Sequence, residues 1–291
     1  MASKPVLRLA LTSRSDGVGL EAIRSSIVEF LQSQSGVKLT VCGTPDELRL
    51  GRRPTDMVIV LGGDGTILRT CRQLGSQQRP LLGINLGRLG FLADLSPSLF
   101  QQQFPRILAR EYQIVDHLMF ECRLHRADGS QQKYLGLNEV SVQAGAALRI
   151  LNLNLAIDGE QVTTYRCDGL IVSTPVGSTA HNLSAGGPLL RQNLQAFVIT
   201  PICPHTLTNR PLVDRADCIY SLTSPEFPPG ATLVIDGQIK EPLRDGDRIE
   251  VRKAPVSFQL VRLPDHSYYA TLHRKLGWGG QTQFDNYDSS F

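Results

Sequence analysis

Residues 56–68 read D-M-V-I-V-L-G-G-D-G-T-I-L, and the rest of the chain follows from how this stretch folds. Residues 57–61 are five consecutive apolar side chains rich in β-branched types. Such a run is too short for a helix and predicts a strand buried on both faces, as in a parallel sheet. Gly62, Gly63 and Gly65 then permit backbone angles that side chains forbid, and let amides approach a phosphate with no Cβ in the way. Past Thr66, the apolar Ile67, Leu68, Cys71 and Leu74 recur at helical spacing. The loop Gly62, Gly63, Gly65, Thr66 therefore leads into a helix whose N-terminus favours an anion. Asp64 is the one charge in that loop. A carboxylate among phosphate-binding glycines has two chemical tasks open to it: to accept a proton from an attacking hydroxyl, or to hold the metal that neutralises the phosphates. The plain alternative is a tight turn in which Asp64 satisfies local amides.

Working outward, residues 6–11, 37–41 and 80–84 read as further strands, with helices over 20–31 and 97–108. Strands alternating with helices predict a parallel sheet with helices on its faces. Residues 85–91, N-L-G-R-L-G-F, place a second set of glycines after the fourth strand. Ligands bind open parallel sheets at the C-terminal ends of strands, so the two glycine loops are expected to face one crevice.

From about residue 114 strands follow one another without helices, at 121–124, 140–142, 151–157, 170–173, 196–199, 219–222, 232–235, 248–251 and 256–260. The D-G pairs at 128–129, 158–159, 236–237 and 245–246 are hairpin or tight-turn signals. This texture predicts a β-sandwich or related stack. The expected fold is an α/β N-terminal domain, 1–112, with a parallel sheet and glycine-rich nucleotide loops, joined to an all-β sandwich-like domain, 113–267. A closing helix over about 268–280 is expected to pack back on the first domain, leaving 281–291 as a mobile tail.

A chain of 291 residues suits two ordinary domains. Its net charge of +3, with Lys and Arg scattered, does not indicate nucleic acid. The N-terminus has no apolar core with a cleavage site, and no segment approaches a membrane span. A soluble cytoplasmic protein with no membrane partner is expected. Six cysteines without a C-x-x-C pattern argue for reduced, mostly structural thiols rather than zinc or disulfides.

Polar residues in the second half mark further candidates. Asn138-Glu139 opens a strand, and an amide beside a carboxylate suits sugar hydroxyls, or else is an exposed edge pair. Arg166-Cys167-Asp168-Gly169 combines a cation, an anion and a turn glycine, which a local ion pair also explains. Residues 173–188, S-T-P-V-G-S-T-A-H-N-L-S-A-G-G-P, are rich in hydroxyls and glycines directly after an apolar strand. There Thr179 offers a donor, His181 a ring that can stack on a base, and Asn182 and Ser184 a polar lining, while Ala180, Leu183 and the prolines argue against a flexible linker. Cys203 and His205 are too few for a metal site and are read as structural.

Taken in order, G-G-D-G-T (62–66), N-L-G-R-L-G-F-L (85–92), N-E (138–139), C-D-G (167–169), S-T-P-V-G-S-T-A (173–180), S-A-G-G-P (184–188), P-H-T-L-T-N-R-P (204–211) and K-L-G-W (275–278) resemble the NAD kinase family. The resemblance implies phosphoryl transfer from a nucleoside triphosphate, normally ATP with polyphosphate a second candidate donor, to the 2′-hydroxyl of the adenosine ribose of NAD. It implies that Asp64 orients that hydroxyl and takes its proton, and that Gly65 keeps the backbone near the diphosphate. Asn138 and Glu139 would hold adenosine and ribose hydroxyls, and Asp168 the dinucleotide. Thr179, Ala180, His181, Asn182, Leu183 and Ser184 would line the adenosine pocket. Arg69, Arg149, Arg166 and Gln238 fall where the family has further polar contacts. Mg²⁺ or another divalent cation would bridge the donor phosphates, with no dedicated protein metal site, and homodimers or homotetramers would form through the β-rich domain. Family members usually have tyrosine at the position of His181. Diacylglycerol kinases and phosphofructokinases share only the G-G-D-G element, and a catalytically silent NAD(P)-binding regulator is the competing reading from another class.

Overall fold

The computed structural model describes residues 6–14, 19–87, 90–145, 150–206, 208–264 and 267–277. The first part runs β1 (Leu7–Ser13), α1 (Leu20–Ser33), β2 (Val37–Gly43), β3 (Met57–Leu61), α2 (Asp64–Leu74), β4 (Leu81–Ile84) and α3 (Pro97–Leu108). Its strands pair in parallel in the order β2-β1-β3-β4. Every residue of β3 is buried because both faces are covered. Met57, Ile59 and Leu61 join a core with Ile27, Leu31, Phe100 and Phe104 from α1 and α3. Val58 and Val60 pack on the other face against Ile67, Leu68 and Cys71 of α2. The period of two in a strand is what splits one apolar run between two cores.

The second part runs β5 (Gln113–His125), β6 (Gln131–Gly136), β7 (Glu139–Gln143), β8 (Leu151–Ile157), β9 (Glu160–Cys167), β10 (Gly169–Ser173), α4 (His181–Ser184), β11 (Ala196–Ile202), β12 (Leu212–Arg215), β13 (Tyr220–Thr223), β14 (Thr232–Ile235), β15 (Ile239–Pro242), β16 (Arg248–Arg262) and α5 (Tyr268–Leu276). Among the described residues, one sheet is β12-β11-β10-β7-β14-β15, antiparallel throughout. It packs over β5, β8, β13 and β16 to enclose a core that includes Phe120, Leu153, Phe197 and Tyr220. This is an antiparallel β-sandwich joined to an α/β unit.

The two halves share a sheet, which strand-by-strand reading did not anticipate. Residues 248–251 and 256–260 are one long strand, β16, with a register shift between Lys253 and Ser257. Pro255 lies in that shift, where a missing N–H costs no ladder bond. The first half of β16 pairs with β13 inside the sandwich, and Leu260 near its end pairs in parallel with Leu81 of β4. The polar strands β6, β9, β12 and β15 also escape a search for apolar runs. Each of the four is outermost in its sheet among the described residues, and β12 and β15 alternate half-buried with exposed positions. The D-G signal at Asp158-Gly159 does turn a hairpin, with both residues at positive φ between paired Ile157 and Glu160. Gly277, at φ 63°, ends α5 short of the expected limit. Arg149, Trp278 and the expected tail lie outside the described residues.

Candidate active site

The start of α2 carries no capping side chain, because Gly63 precedes it. Gly62 is held by its N–H to Ile84 O at 2.8 Å, which brings the ends of β3 and β4 together. Gly62 also sits at φ 151°, and a Cβ there would lie 2.4 Å from Thr66 Oγ1. Asp64 turns from this loop onto the second glycine loop. Its Oδ2 accepts from Phe91 N at 2.8 Å, and its Oδ1 accepts from Leu92 N and Ala93 N, both at 3.1 Å. The expected facing of the two glycine loops is thus realised through the carboxylate itself. A carboxylate has about four lone-pair directions, so three amides leave one for a ligand proton. Arg262 braces the same loop from the end of β16, donating to Asp94 Oδ2 at 2.8 Å and Phe91 O at 2.9 Å.

Gly90 is the close-approach glycine of the site, since a Cβ there would lie 1.9 Å from Asp64 Oδ1. Gly90→Ala should therefore push the carboxylate out of its amide cradle. We expect turnover to fall on the order of 10²-fold with the circular dichroism spectrum unchanged, because a misplacement of about 1 Å carries that cost. Wild-type turnover in that variant would show the cradle to be dispensable.

Asn138 and Glu139 meet residues 173–179 through strand pairing, with Ser173 opposite Glu139. Asn138 O accepts from Thr174 N at 2.9 Å and Ser173 Oγ at 3.2 Å. Gly177 fits directly above, where a Cβ would lie 2.2 Å from Asn138 O. Glu139 is buried, and its Oε2 has no hydrogen-bond partner among the described residues. Burial, and after it the charge of Asp236, pushes the Glu139 carboxyl up to about 8.

Residues 177–184 form two helical turns rather than a loop. Thr179 caps Val176 O at 3.1 Å, and Ala180, His181 and Leu183 sit on the half-buried surface around it. Burial lowers His181 from its usual value, so its ring is neutral at pH 7. Ser184 is exposed. Asn182 is wholly buried and spends its amide inside the fold, donating to Ser178 O and Pro188 O and accepting from Thr200 Oγ1 at 2.7 Å. It shapes the wall rather than lining it.

Two other residues stand apart. Arg166 and Asp168 are exposed beyond the far end of β10, roughly 16 Å along the strand from Ser173 at about 3.3 Å per residue. Asp168 there lies 3.5 Å from His205 Nε2 rather than pairing with Arg166. His205 and Cys203 are exposed, whereas Cys71, Cys122, Cys167 and Cys218 are buried.

The side chain that joins the two halves belongs to one of the D-G turns. Asp236, at φ 49°, begins the β14–β15 hairpin and is buried. Its Oδ1 accepts from Asn138 N at 2.8 Å, from Leu137 N at 3.1 Å and from Glu139 N at 3.3 Å. Its Oδ2 takes Arg72 Nη1 of α2 at 2.8 Å. Burial pushes Asp236 up, opposed by Arg72 and these amides. Gln238 completes the link by accepting from Arg72 and donating to Gly65 O at 2.9 Å. The signal available in the sequence was the strained D-G pair, which specifies a turn but not its partners. Alongside, a cleft of about 1240 Å³ opens from Gly65 and Thr66, lined by Arg69, Arg72, Lys133 and Gln238 among others. Arg69 pairs with Asp46 on its exposed side.

A parallel sheet with two facing glycine loops, a cradled carboxylate and a polar cleft beside it defines a nucleotide-dependent phosphotransferase. The models of the ATP-NAD kinase N-terminal and C-terminal domains match residues 24–112 and 137–263. The chain belongs to the NAD kinase family. It is 52% identical to the NAD kinase of Rhodopirellula baltica, over 79% of this chain and 74% of that protein. It is 34% identical to that of Geobacter sulfurreducens, over 94% and 99%. The yeast NADH kinase solved with NADH superposes with a TM-score of 0.85 at 25% identity, covering 96% of this chain and 90% of that one. An NAD kinase from Archaeoglobus fulgidus solved with ATP gives 0.71 at 27% identity, covering 93% and 99%.

Proposed function

We propose that the protein transfers the γ-phosphoryl group of ATP to the 2′-hydroxyl of the adenosine ribose of NAD, making NADP. The carrying observation is the Asp64 carboxylate, cradled by three amides with one lone-pair direction left, on the residue just before Gly65 and Thr66, which line the cleft. The 2′-oxygen attacks the γ-phosphorus in line, its proton passes to Asp64, and the bond to the β-phosphate oxygen breaks with its electrons leaving on ADP. Such a transition state needs alignment and charge neutralisation more than a strong base, which suits a fixed, hydrogen-bonded carboxylate. Asn138 and Glu139 hold the acceptor's ribose and adenosine, His181 stacks on adenine, and Arg69 and the Gly62–Thr66 backbone face the donor phosphates. Among the described residues no three carboxylate, imidazole or thiol groups gather as a metal cage. A divalent cation, Mg²⁺ by preference, would be held mainly by the donor phosphates and would supply charge neutralisation to the transfer.

The free cysteines support a reducing compartment such as the cytoplasm, and no described helix is long and apolar enough to cross a membrane. Exposed Val162 and Val213 on the outermost strands β9 and β12 support assembly of two or four copies through the β-rich half. The test is NADP formation from NAD, ATP and Mg²⁺ by the purified protein. No turnover with any triphosphate or polyphosphate despite intact dinucleotide binding would leave a silent NAD-binding regulator.

Glu139 adds a pH signature. With a folded-state value near 8, against about 4.3 unfolded, it binds a proton on folding between those limits. Its contribution to stability is therefore greatest at low pH and is lost as pH rises toward 8. Ribose hydroxyls donating to it favour the ionised form, so NAD binding at pH 7 should release about one proton. Calorimetry in buffers of differing ionisation enthalpy measures this, and Glu139→Gln should abolish the release. Identical heats in all buffers would sink the assignment.

A further inference from the structure

The cleft beside the phosphate loop contains a cation that the fold does not need. Of its four basic side chains among the described residues, Arg72 is committed to buried Asp236 and to Gln238, Arg69 is paired with Asp46, and Arg14 is exposed just past the end of β1. Lys133, on β6, extends its ammonium to Glu121 Oε2 at 2.5 Å while its side chain stays 59% exposed on the cleft wall. Glu121 is 1% exposed, and its other oxygen already accepts from Arg123 Nε at 2.8 Å and Arg252 Nε at 2.9 Å. Two guanidiniums more than neutralise one buried carboxylate. Removing Lys133 therefore leaves no unpaired buried charge, which is what normally makes the loss of one ion-pair partner costly. Among the described residues, the cleft lining beside Gly65 and Thr66 carries four basic side chains, Arg14, Arg69, Arg72 and Lys133, against two acidic ones, Asp46 and Glu47.

From this we propose, resting on the kinase reading above, that Lys133 is a ligand of the donor phosphates. Glu121 keeps the ammonium at the cleft, and the polyanionic donor draws it across without unsettling the carboxylate behind. A flexible stem carrying three donors suits this exchange better than the pinned Arg72 does.

Steady-state kinetics of the full chain, with ATP and NAD varied separately, decide the matter for Lys133→Gln and Lys133→Arg. Lys133→Gln should raise the KM for ATP about tenfold, the loss expected for one charged contact. The KM for NAD and the melting temperature should stay at wild-type values, and Lys133→Arg should recover most of the ATP affinity. A wild-type KM for ATP in the glutamine variant overturns the assignment while leaving the kinase reading intact. A lowered melting temperature with both KM values raised also overturns it, because it marks a structural role. If the wild type itself does not turn over, the kinase reading fails. Calorimetric binding of ATP to wild type and variant then tests Lys133 separately, with equal affinities counting against it.

Discussion

Asp64→Asn should lower kcat for NADP formation on the order of 10²-fold or more, while the Kd for NAD changes by no more than a few-fold. The amide is nearly isosteric. Its carbonyl can still accept from the Phe91–Ala93 cradle, but its NH₂ faces amides where an oxygen stood. Besides that cradle contact, the change removes acceptance of the hydroxyl proton, and contributions of this kind are typically about 10²- to 10⁴-fold. Parallel measurement of turnover and of NAD affinity separates chemistry from binding. Near wild-type turnover would return Asp64 to the plain reading, a carboxylate that only ties two loops together. An equal loss of NAD affinity would point to a collapsed cradle instead, as expected for Gly90→Ala.

Asp236→Ala is expected to destabilise the protein by about 3–5 kcal/mol, the usual result of removing one partner from a buried ion pair. It strands Arg72, whose side chain is only 12% exposed, and frees the amides of Leu137, Asn138 and Glu139. The alanine also inherits a φ of 49°, which L-residues with no local hydrogen bond to offer adopt poorly. A fall in melting temperature on the order of 10 °C should follow, with urea unfolding as the second measure. Asp236→Asn keeps the acceptor oxygen and the turn conformation, so it should lose less. An alanine variant that melts with the wild type would show the two halves to be held by the shared sheet alone. Because the same carboxylate orients Asn138 and Glu139, any alanine variant that folds should also have a raised KM for NAD.

Much of this architecture was readable in residue order. The apolar run of β3, the glycines after it and the helical spacing of Ile67, Leu68, Cys71 and Leu74 each specify local structure, and all of these residues but the glycines lie in one of two adjoining cores. Asp64 stood out because a carboxylate among phosphate-binding glycines needs a reason. Asn138-Glu139 and residues 173–180 were visible as polar stretches next to apolar strands, and strand pairing does bring them together. What could not be read were side chains whose role lies entirely in distant partners. Asp236 and Arg72 are 164 positions apart, Arg262 and Asp94 168, and Lys133 and Glu121 are separated by a turn and a register. Asn182, among the plausible lining groups, proved internal for the same reason: burial is a property of the packed whole.

Residue order alone thus determined a parallel α/β half whose glycine-rich loop carries Asp64, followed by a β-rich half, because backbone freedom, strand period and helix period act over a few neighbouring residues. Only the tertiary structure decided that β16 belongs to both halves, that Asp64 is cradled by the second glycine loop, and that a buried Asp236–Arg72 pair aligns Asn138 and Glu139 with the start of α2. Those outcomes depend on register and on which buried charges find partners, and both are settled by the free energy of closing the whole chain around its cores.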